Sequence, residues 1–329
     1  MPRKPTQPGF HLAAHSYTAP APGVRLIVLG AVHGNETCGT KAITRTIDEL
    51  ERGHLELRNG SVTLVPVTNP LAYHFGRREG ERNLNRNLRP TGHPADFEDR
   101  VANWLCPLLA AHEVLLDLHS FHTLGEPFVM LGPENNAGSL EPFSHAAEER
   151  TFARHLGVRR FVDGWLDTYA RGVSRRIAAG PRSAAGADPR YGIGTSEYMR
   201  SVGGYGVTLE CGAHGDPEAP DIAYRAIRNA LAFLGLSTCD TPRPVADPTR
   251  LRLVDVVDKT HDADAFDHEW ASFEPIVSGQ RIGTRHDDTP VLAPEDGYIV
   301  FPNPHSRAGE EWFYLARGES TREAQDRHG

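Results

Sequence analysis

The chain has 329 residues, with 35 Lys plus Arg against 43 Asp plus Glu, for a formal net charge of -8. This length can bury one large core or two unequal ones. The acidic balance offers no basic surface for phosphates, which argues against nucleic acid as a partner. No apolar run reaches the roughly 20 residues of a membrane-spanning helix, and the four cysteines form no CxxC pair. We therefore expect a cytoplasmic protein that binds no membrane.

The first 240 residues alternate between strand and helix patterns. Residues 24–32 (VRLIVLGAV) and 61–67 (SVTLVPV) are β-branched apolar runs typical of buried strands, and residues 40–50 between them have helical spacing. A helix is predicted over 96–111, strands over 113–118 and 206–209, and a last helix with apolar residues from Ile222 to Leu234 on one side. This alternation predicts an α/β fold with a mostly parallel or mixed sheet flanked by helices.

The pattern changes near residue 240. Residues 241–250 (TPRPVADPTR) contain three prolines and no apolar periodicity, which is typical of a linker. Five short apolar segments follow, at 251–257, 274–276, 289–292, 297–301 and 312–315, separated by Gly, Pro or Asp. We therefore predict an α/β domain over 1–240, a linker over 241–250 and a small all-β domain over 251–329.

Polar residues stand where two of the predicted strands end. His33 and Glu36 follow the first strand, and His119 ends the strand that contains Asp117. Two histidines and one carboxylate match a catalytic zinc site, which leaves a position open for water. Asp117 lies on the same side of its strand as His119 and is a candidate partner for it, while His122 is a rival ligand. Taken alone, His33 and Glu36 are equally well explained as a polar strand end and a helix start.

Two further groups fit the chemistry of hydrolysis. Glu210 follows the predicted strand at 206–209 and is a candidate general base, the alternative being a solvated carboxylate at a sheet edge. Residues 77–86 contain four arginines without apolar periodicity and are predicted to form a loop. Arginine binds carboxylates in a bidentate way, so this loop can hold an acidic substrate. The alternative is a charged surface loop paired with its own glutamates, above all at Arg77 and Arg82.

Taken together, the motifs resemble those of a known family. The set resembles the succinylglutamate desuccinylase/aspartoacylase family of zinc hydrolases, which is related to the zinc carboxypeptidases. The resemblance is carried by His33-Gly-Asn-Glu36, by Asn85-Arg86 within Asn-Leu-Asn-Arg, by Asp117-Leu-His119 and by Leu209-Glu210-Cys-Gly, and the segment Phe301-Pro-Asn-Pro304 is similar to the desuccinylase tail.

The resemblance implies a fold and a set of roles. The fold is a carboxypeptidase-like α/β domain followed by a small β domain, with one zinc ion per chain bound by His33, Glu36 and His119. Glu210 would activate water and then protonate the leaving amine, with Arg78 as a second catalytic group. Asn85, Arg86 and Arg307 would bind the substrate.

Three departures from the family pattern leave the substrate open. Leu71 stands where aspartoacylase-like members have arginine after Asn-Pro, and Asn83 stands where aspartate usually precedes Leu-Asn-Arg. Residues 130–205 contain no Gly-Thr-Phe-Thr motif. We expect a zinc-dependent hydrolase that removes the acyl group from a small N-acyl amino acid. Alternatives are a carboxypeptidase-like hydrolase of another amide and a non-catalytic metal-binding protein, and the sequence leaves a homo-oligomer open.

Overall fold

A large mixed β-sheet organises the protein. The computed structural model describes residues 10–178 and 188–318, so the outer ends of the two predicted domains, at residues 1 and 329, lie outside the described residues. The strands in chain order are β1 (His15–Thr18), β2 (Ala21–Gly30), β3 (Asn59–Val65), β4 (Val114–Phe121), β5 (Phe128–Met130), β6 (Arg160–Asp163), β7 (Tyr205–Ala213), β8 (Thr249–Asp258), β9 (Ala265–Phe266), β10 (Pro275–Ile276), β11 (Arg281–Thr284), β12 (Pro290–Leu292), β13 (Gly297–Val300) and β14 (Glu311–Gly318). The helices are α1 (Cys38–Glu51), α2 (Pro70–His74), α3 (Phe97–Ala110), α4 (Ala146–His155), α5 (Trp165–Ala178), α6 (Thr195–Ser201) and α7 (Ala219–Phe233), with a short 3-10 helix at Pro189–Gly192.

The strand order explains where a site can form. Eleven strands form one sheet in the order β1-β3-β2-β4-β7-β5-β6-β8-β14-β13-β10, and β12-β11-β9 form a separate antiparallel sheet. The four central strands β3, β2, β4 and β7 are parallel. The carboxyl ends of parallel strands meet at one edge, where open α/β sheets place their ligands.

The central strands are apolar on both faces because helices cover both. In β2, Leu26 and Val28 face a core formed with α1, α4 and α7, whereas Ile27 and Leu29 face a second core formed with α3 and α6. Successive side chains of a strand point to opposite faces, so a continuous apolar run serves both cores. This is the run that the sequence shows at residues 24–32.

The predicted α/β fold class is confirmed, with a large mixed sheet flanked by helices and a small antiparallel sheet beside it. The C-terminal strands also extend the large sheet, because β8 pairs in parallel with β6 and antiparallel with β14. The segment between β5 and α6, for which the sequence suggested no elements, forms α4, β6 and α5. Across the described residues, no helix is both long enough and apolar enough to cross a membrane.

Candidate active site

The predicted metal ligands come together at the carboxyl edge of the central strands. His33 follows the end of β2, Glu36 precedes α1, and His119 lies near the end of β4. The turn that carries the first two packs against α2, since a Cβ on Gly34 would lie 2.0 Å from the backbone carbon of Ala72. Only glycine allows that approach, so Gly34 fixes the turn against α2.

Three ligand atoms form a compact buried group. Nδ1 of His33 lies 2.9 Å from Oε1 of Glu36, and Nδ1 of His119 lies 2.8 Å from Oε2 of the same carboxylate. One atom from each residue lies within 4.8 Å of the other two, and all three residues are buried. This is the donor set of a divalent metal site with an open position.

The outer nitrogens of both histidines face oxygen acceptors. Nε2 of His33 lies 3.1 Å from Oδ1 of Asn83, an oxygen that also accepts the backbone N–H of Asn85. Nε2 of His119 lies 2.9 Å from Oδ2 of Asp117, which is an ion-pair distance, although the two groups are not aligned as a hydrogen bond. With the ring proton on Nε2, each Nδ1 presents a lone pair toward the Glu36 carboxylate, and only a cation or a second proton makes that contact favourable. The three residues therefore fit a metal ion.

The charges of the group support the same interpretation. Burial, with the positive charge of Arg78, lowers the pKa of His33 to about 4. Burial alone would also lower the pKa of His119, but the carboxylates of Asp117 and Glu36 raise it well above its usual value. The pKa of Glu36 lies well below its usual range despite burial, because both imidazoles face it. An ionised buried carboxylate of this kind requires a positive partner.

Glu210 lies beside this group, directly opposite His119 in the pairing of β4 with β7. Its side chain is buried, and within the described ranges its Oε2 has no hydrogen-bond partner. Burial, followed by the negative charge of Glu36, raises the pKa of Glu210 to about 8. A divalent cation beside Glu36 would oppose that rise and bring the pKa toward neutrality, where a general base works best.

The arginine-rich loop is held in place by a buried carboxylate of α3. Glu98 accepts the backbone N–H groups of Gly80, Glu81 and Arg82. This anchoring brings Arg78 to the metal ligands, where its Nη1 lies 2.8 Å from Oε1 of Glu36 while the side chain stays 47% exposed. Arg78 is therefore both next to the site and accessible to a small molecule.

Asn85 and Arg86 already have partners within the protein. The Oδ1 of Asn85 accepts the backbone N–H of Thr195 at 2.9 Å. The Arg86 side chain is 13% exposed, with Nη2 3.6 Å from Oε2 of Glu311 in β14, and its guanidinium lies 4.6 Å from the ring centre of Trp165. A substrate carboxylate at Arg86 would compete with Glu311 for that guanidinium.

Two other predicted residues are not members of the three-residue ligand group. Nε2 of His122 donates to the carbonyl oxygen of Pro302 at 2.8 Å, which joins β4 to the turn after β13. Arg307 is exposed on that turn and donates its backbone N–H to Glu310. Across residues 10–178 and 188–318, its side chain forms no hydrogen bond or ion pair with the metal-ligand group.

The sequence motifs did not indicate several residues that surround the site. Thr195 donates its hydroxyl to Asp117, and Ser120 donates its backbone N–H to Glu36. His214 lies in the loop after β7 with Nδ1 2.9 Å from the Ser120 hydroxyl. No spacing rule marks these residues, since each depends on contacts between distant segments; only His214 carried a signal, as a polar residue shortly after a strand end.

The chain is similar to known proteins both in part of its sequence and in its fold. Residues 22–125 match the family described as the succinylglutamate desuccinylase/aspartoacylase catalytic domain. A succinylglutamate desuccinylase/aspartoacylase from Rhodobacter sphaeroides has a similar structure, with a TM-score of 0.69 and 18% identity over 94% of this chain and 90% of that chain. The product-bound ectoine utilization protein EutE (DoeB) from Ruegeria pomeroyi has a TM-score of 0.69 and 17% identity, over 92% of this chain and 88% of that chain. A succinylglutamate desuccinylase from Vibrio cholerae has a TM-score of 0.66 and 18% identity, over 91% of this chain and 82% of that chain.

These structural likenesses establish a shared fold. The family match covers the segment with His33, Glu36, Arg78, Asn85 and His119. That segment of the chain is therefore similar to the catalytic domain of the succinylglutamate desuccinylase/aspartoacylase family, as the motifs predict.

Proposed function

We propose that the protein is a zinc-dependent amidohydrolase that removes the acyl group from a small N-acyl amino acid. The observation that carries the proposal is the buried carboxylate of Glu210, whose Oε2 has no hydrogen-bond partner in the described part of the chain and which lies beside the convergent ligands His33, Glu36 and His119. A metal site alone would not require Glu210 to be buried there. A hydrolase requires such a base.

Each residue of the site has a defined task in this reaction. Zinc held by His33, Glu36 and His119 would act as a Lewis acid toward the amide carbonyl and would acidify water. Glu210 takes the proton from the attacking water as the C–O bond forms. It then delivers that proton to the amine nitrogen as the C–N bond breaks, which releases a carboxylic acid and a free amine. Arg78, half exposed beside Glu36, can donate to the carbonyl oxygen as negative charge develops on it.

The substrate would be small and would carry a carboxylate. Arg78 is an accessible cation next to the metal ligands, and the predicted anchors Asn85 and Arg86 follow it on the same loop. The family match supports an acyl amino acid as the substrate class, since the family is named for two deacylases.

The test is the release of free amine from a panel of N-succinyl, N-acetyl and N-formyl amino acids by the zinc-loaded protein. We expect one clear substrate, and a loss of about 100-fold or more in kcat for Glu210→Gln, as for removal of a general base. Glu113→Gln is the matched control, because Glu113 lies at the opposite end of β4 in an exposed pair with Arg25. Near-normal turnover in Glu210→Gln would refute the catalytic role.

Zinc content tests the ligand assignment separately. His119→Ala should release zinc, measured by metal analysis after dialysis, whereas Glu210→Gln should retain it. Zinc binding with no hydrolysis across the panel would point to a peptide or other amide substrate, and full zinc retention in His119→Ala would remove His119 from the ligand set.

A further inference from the structure

We propose that Thr195 is a positioning residue for the metal site: it holds Asp117, the carboxylate that faces His119, and links it to Asn85 of the arginine-rich loop. The proposal rests on the metal site of the proposed function. It adds a residue that lies outside the segment matched by the family, which ends at residue 125.

The first contact lies between Thr195 and Asp117. Asp117 is fully buried, and its Oδ2 accepts the Thr195 hydroxyl while lying 2.9 Å from Nε2 of His119. A carboxylate only accepts hydrogen bonds, so the Thr195 hydroxyl must donate here. The other oxygen, Oδ1, has no partner in the described part of the chain. Thr195 therefore holds Asp117 through the same oxygen that faces His119.

The second contact lies between Thr195 and Asn85. The backbone N–H of Thr195 donates to Oδ1 of Asn85 at 2.9 Å. A Cβ on Gly194 would lie 2.1 Å from that same oxygen, so Asn85 can approach only because residue 194 is glycine. A chain of contacts thus runs from Asn85 through Thr195 and Asp117 to His119.

Helix α6 holds Thr195 rigidly. The backbone N–H of Gly194 donates to Oε2 of Glu197 at 2.9 Å and fixes the start of the helix. One residue further on, the Ser196 hydroxyl lies 3.0 Å from that of Thr208 in β7. Ser196 is buried like Thr195 but does not contact Asp117. It therefore serves as a matched control for loss of a buried hydroxyl from the same helix.

The expected effect is on metal affinity. Groups that orient a metal-binding histidine change affinity by about 10- to 100-fold when they are removed. Thr195→Val keeps the shape of the side chain and removes the donor, so Asp117 can turn away from His119. We expect zinc to bind about 10-fold or more weakly, measured by competition with a chromogenic chelator, and Thr195→Ser to restore the wild-type affinity.

A spectroscopic readout separates orientation from stability. With Co²⁺ in place of zinc, the visible absorption of the ion reports ligand geometry, and we expect it to change in Thr195→Val and to match wild type in Thr195→Ser and Ser196→Ala. If Thr195→Val does not fold, Thr195→Ala, which adds no atom beside Asp117, takes its place. Wild-type zinc affinity in the folded variant would overturn the proposal, as would an equal loss in Ser196→Ala.

The outcome is independent of the deacylase reaction. If the wild-type chain binds zinc but releases no amine from any acyl amino acid, the substrate assignment fails and the affinity comparison still decides the role of Thr195. If the wild-type chain binds no zinc, the metal site itself is wrong and the Thr195 proposal falls with it.

Discussion

A buried cluster of charges around Arg200 predicts how the stability of the protein depends on pH. Three carboxylates, those of Glu141, Glu149 and Glu197, lie within 2.8 to 3.6 Å of this one guanidinium. Burial is the main cause that raises the pKa of Glu141 to about 7, against the opposing pull of Arg200. The Glu141 side chain is only 13% exposed, so solvent screens its charge little. It therefore holds a proton in the folded protein near neutral pH.

The size of the effect follows from the difference between the two states. The pKa of Glu141 is about 7 when folded and 4.5 in the reference state, and one pKa unit corresponds to about 1.4 kcal/mol. A raised pKa stabilises the folded state below the unfolded value and loses that stabilisation as pH rises through the folded value. Between pH 8 and pH 5.5, Glu141 should therefore add about 2 kcal/mol to the free energy of unfolding.

Urea unfolding of wild type and Glu141→Gln at these two pH values, at equal zinc content, measures this contribution. Glutamine resembles the protonated acid, so the variant should lack the gain of about 2 kcal/mol on acidification and be at least as stable as wild type at pH 8. Groups far from Arg200 titrate alike in both proteins and cancel in the comparison. Equal pH dependence in the two proteins would refute the reasoning, as would a variant strongly destabilised at pH 8, which is the result for a broken ion pair.

Three further predictions concern the site. The Asn83→Asp substitution places a charged acceptor beside the outer nitrogen of His33, so zinc should bind about 10-fold more tightly in chelator competition. Unchanged zinc affinity would show that residue 83 does not orient His33. Glu311→Gln removes the competitor for Arg86 and should lower KM for a dicarboxylic substrate several-fold with little change in kcat, whereas an unchanged KM would place the substrate elsewhere. The His122→Ala variant should retain full zinc content and lose about 1 kcal/mol of unfolding free energy, which is the value of one hydrogen bond. Loss of zinc from this variant would show that His122 is a ligand.

The centre of the fold was predictable because its signals are local. The apolar runs that become β2 and β4 serve two cores and are therefore continuous in sequence, and the helical spacing that predicted α1 corresponds to one buried face. The region between β5 and α6 was not predictable in the same way. β6 has only four residues, and Glu149 of α4 is buried against Arg200, which is distant in sequence.

The same distinction applies to the site. His33 and Glu36 follow β2, whereas His119 and Glu210 face each other within the last residues of β4 and β7. The parallel order of these strands brings the four residues together, so position in sequence was sufficient to group them. The partners of these residues were not predictable. Thr195 reaches Asp117 only through the placement of a seven-residue helix, and no periodicity marks such a contact.

Pairing within the sheet explains how the C-terminal strands can influence the proposed reaction, although the proposed catalytic groups precede them in sequence. Because β8 and β14 continue the large sheet, their distance from β7 is fixed by backbone hydrogen bonds and does not depend on a flexible hinge. That placement brings Glu311 to Arg86 and the Pro302 carbonyl to His122. The first contact joins the arginine-rich loop to β14, and the second joins His122, three residues after His119, to the segment Phe301-Pro-Asn-Pro304. A change in the C-terminal strands can therefore alter the charge around the substrate while the metal ligands keep their geometry, so selectivity and catalysis can vary independently in this fold.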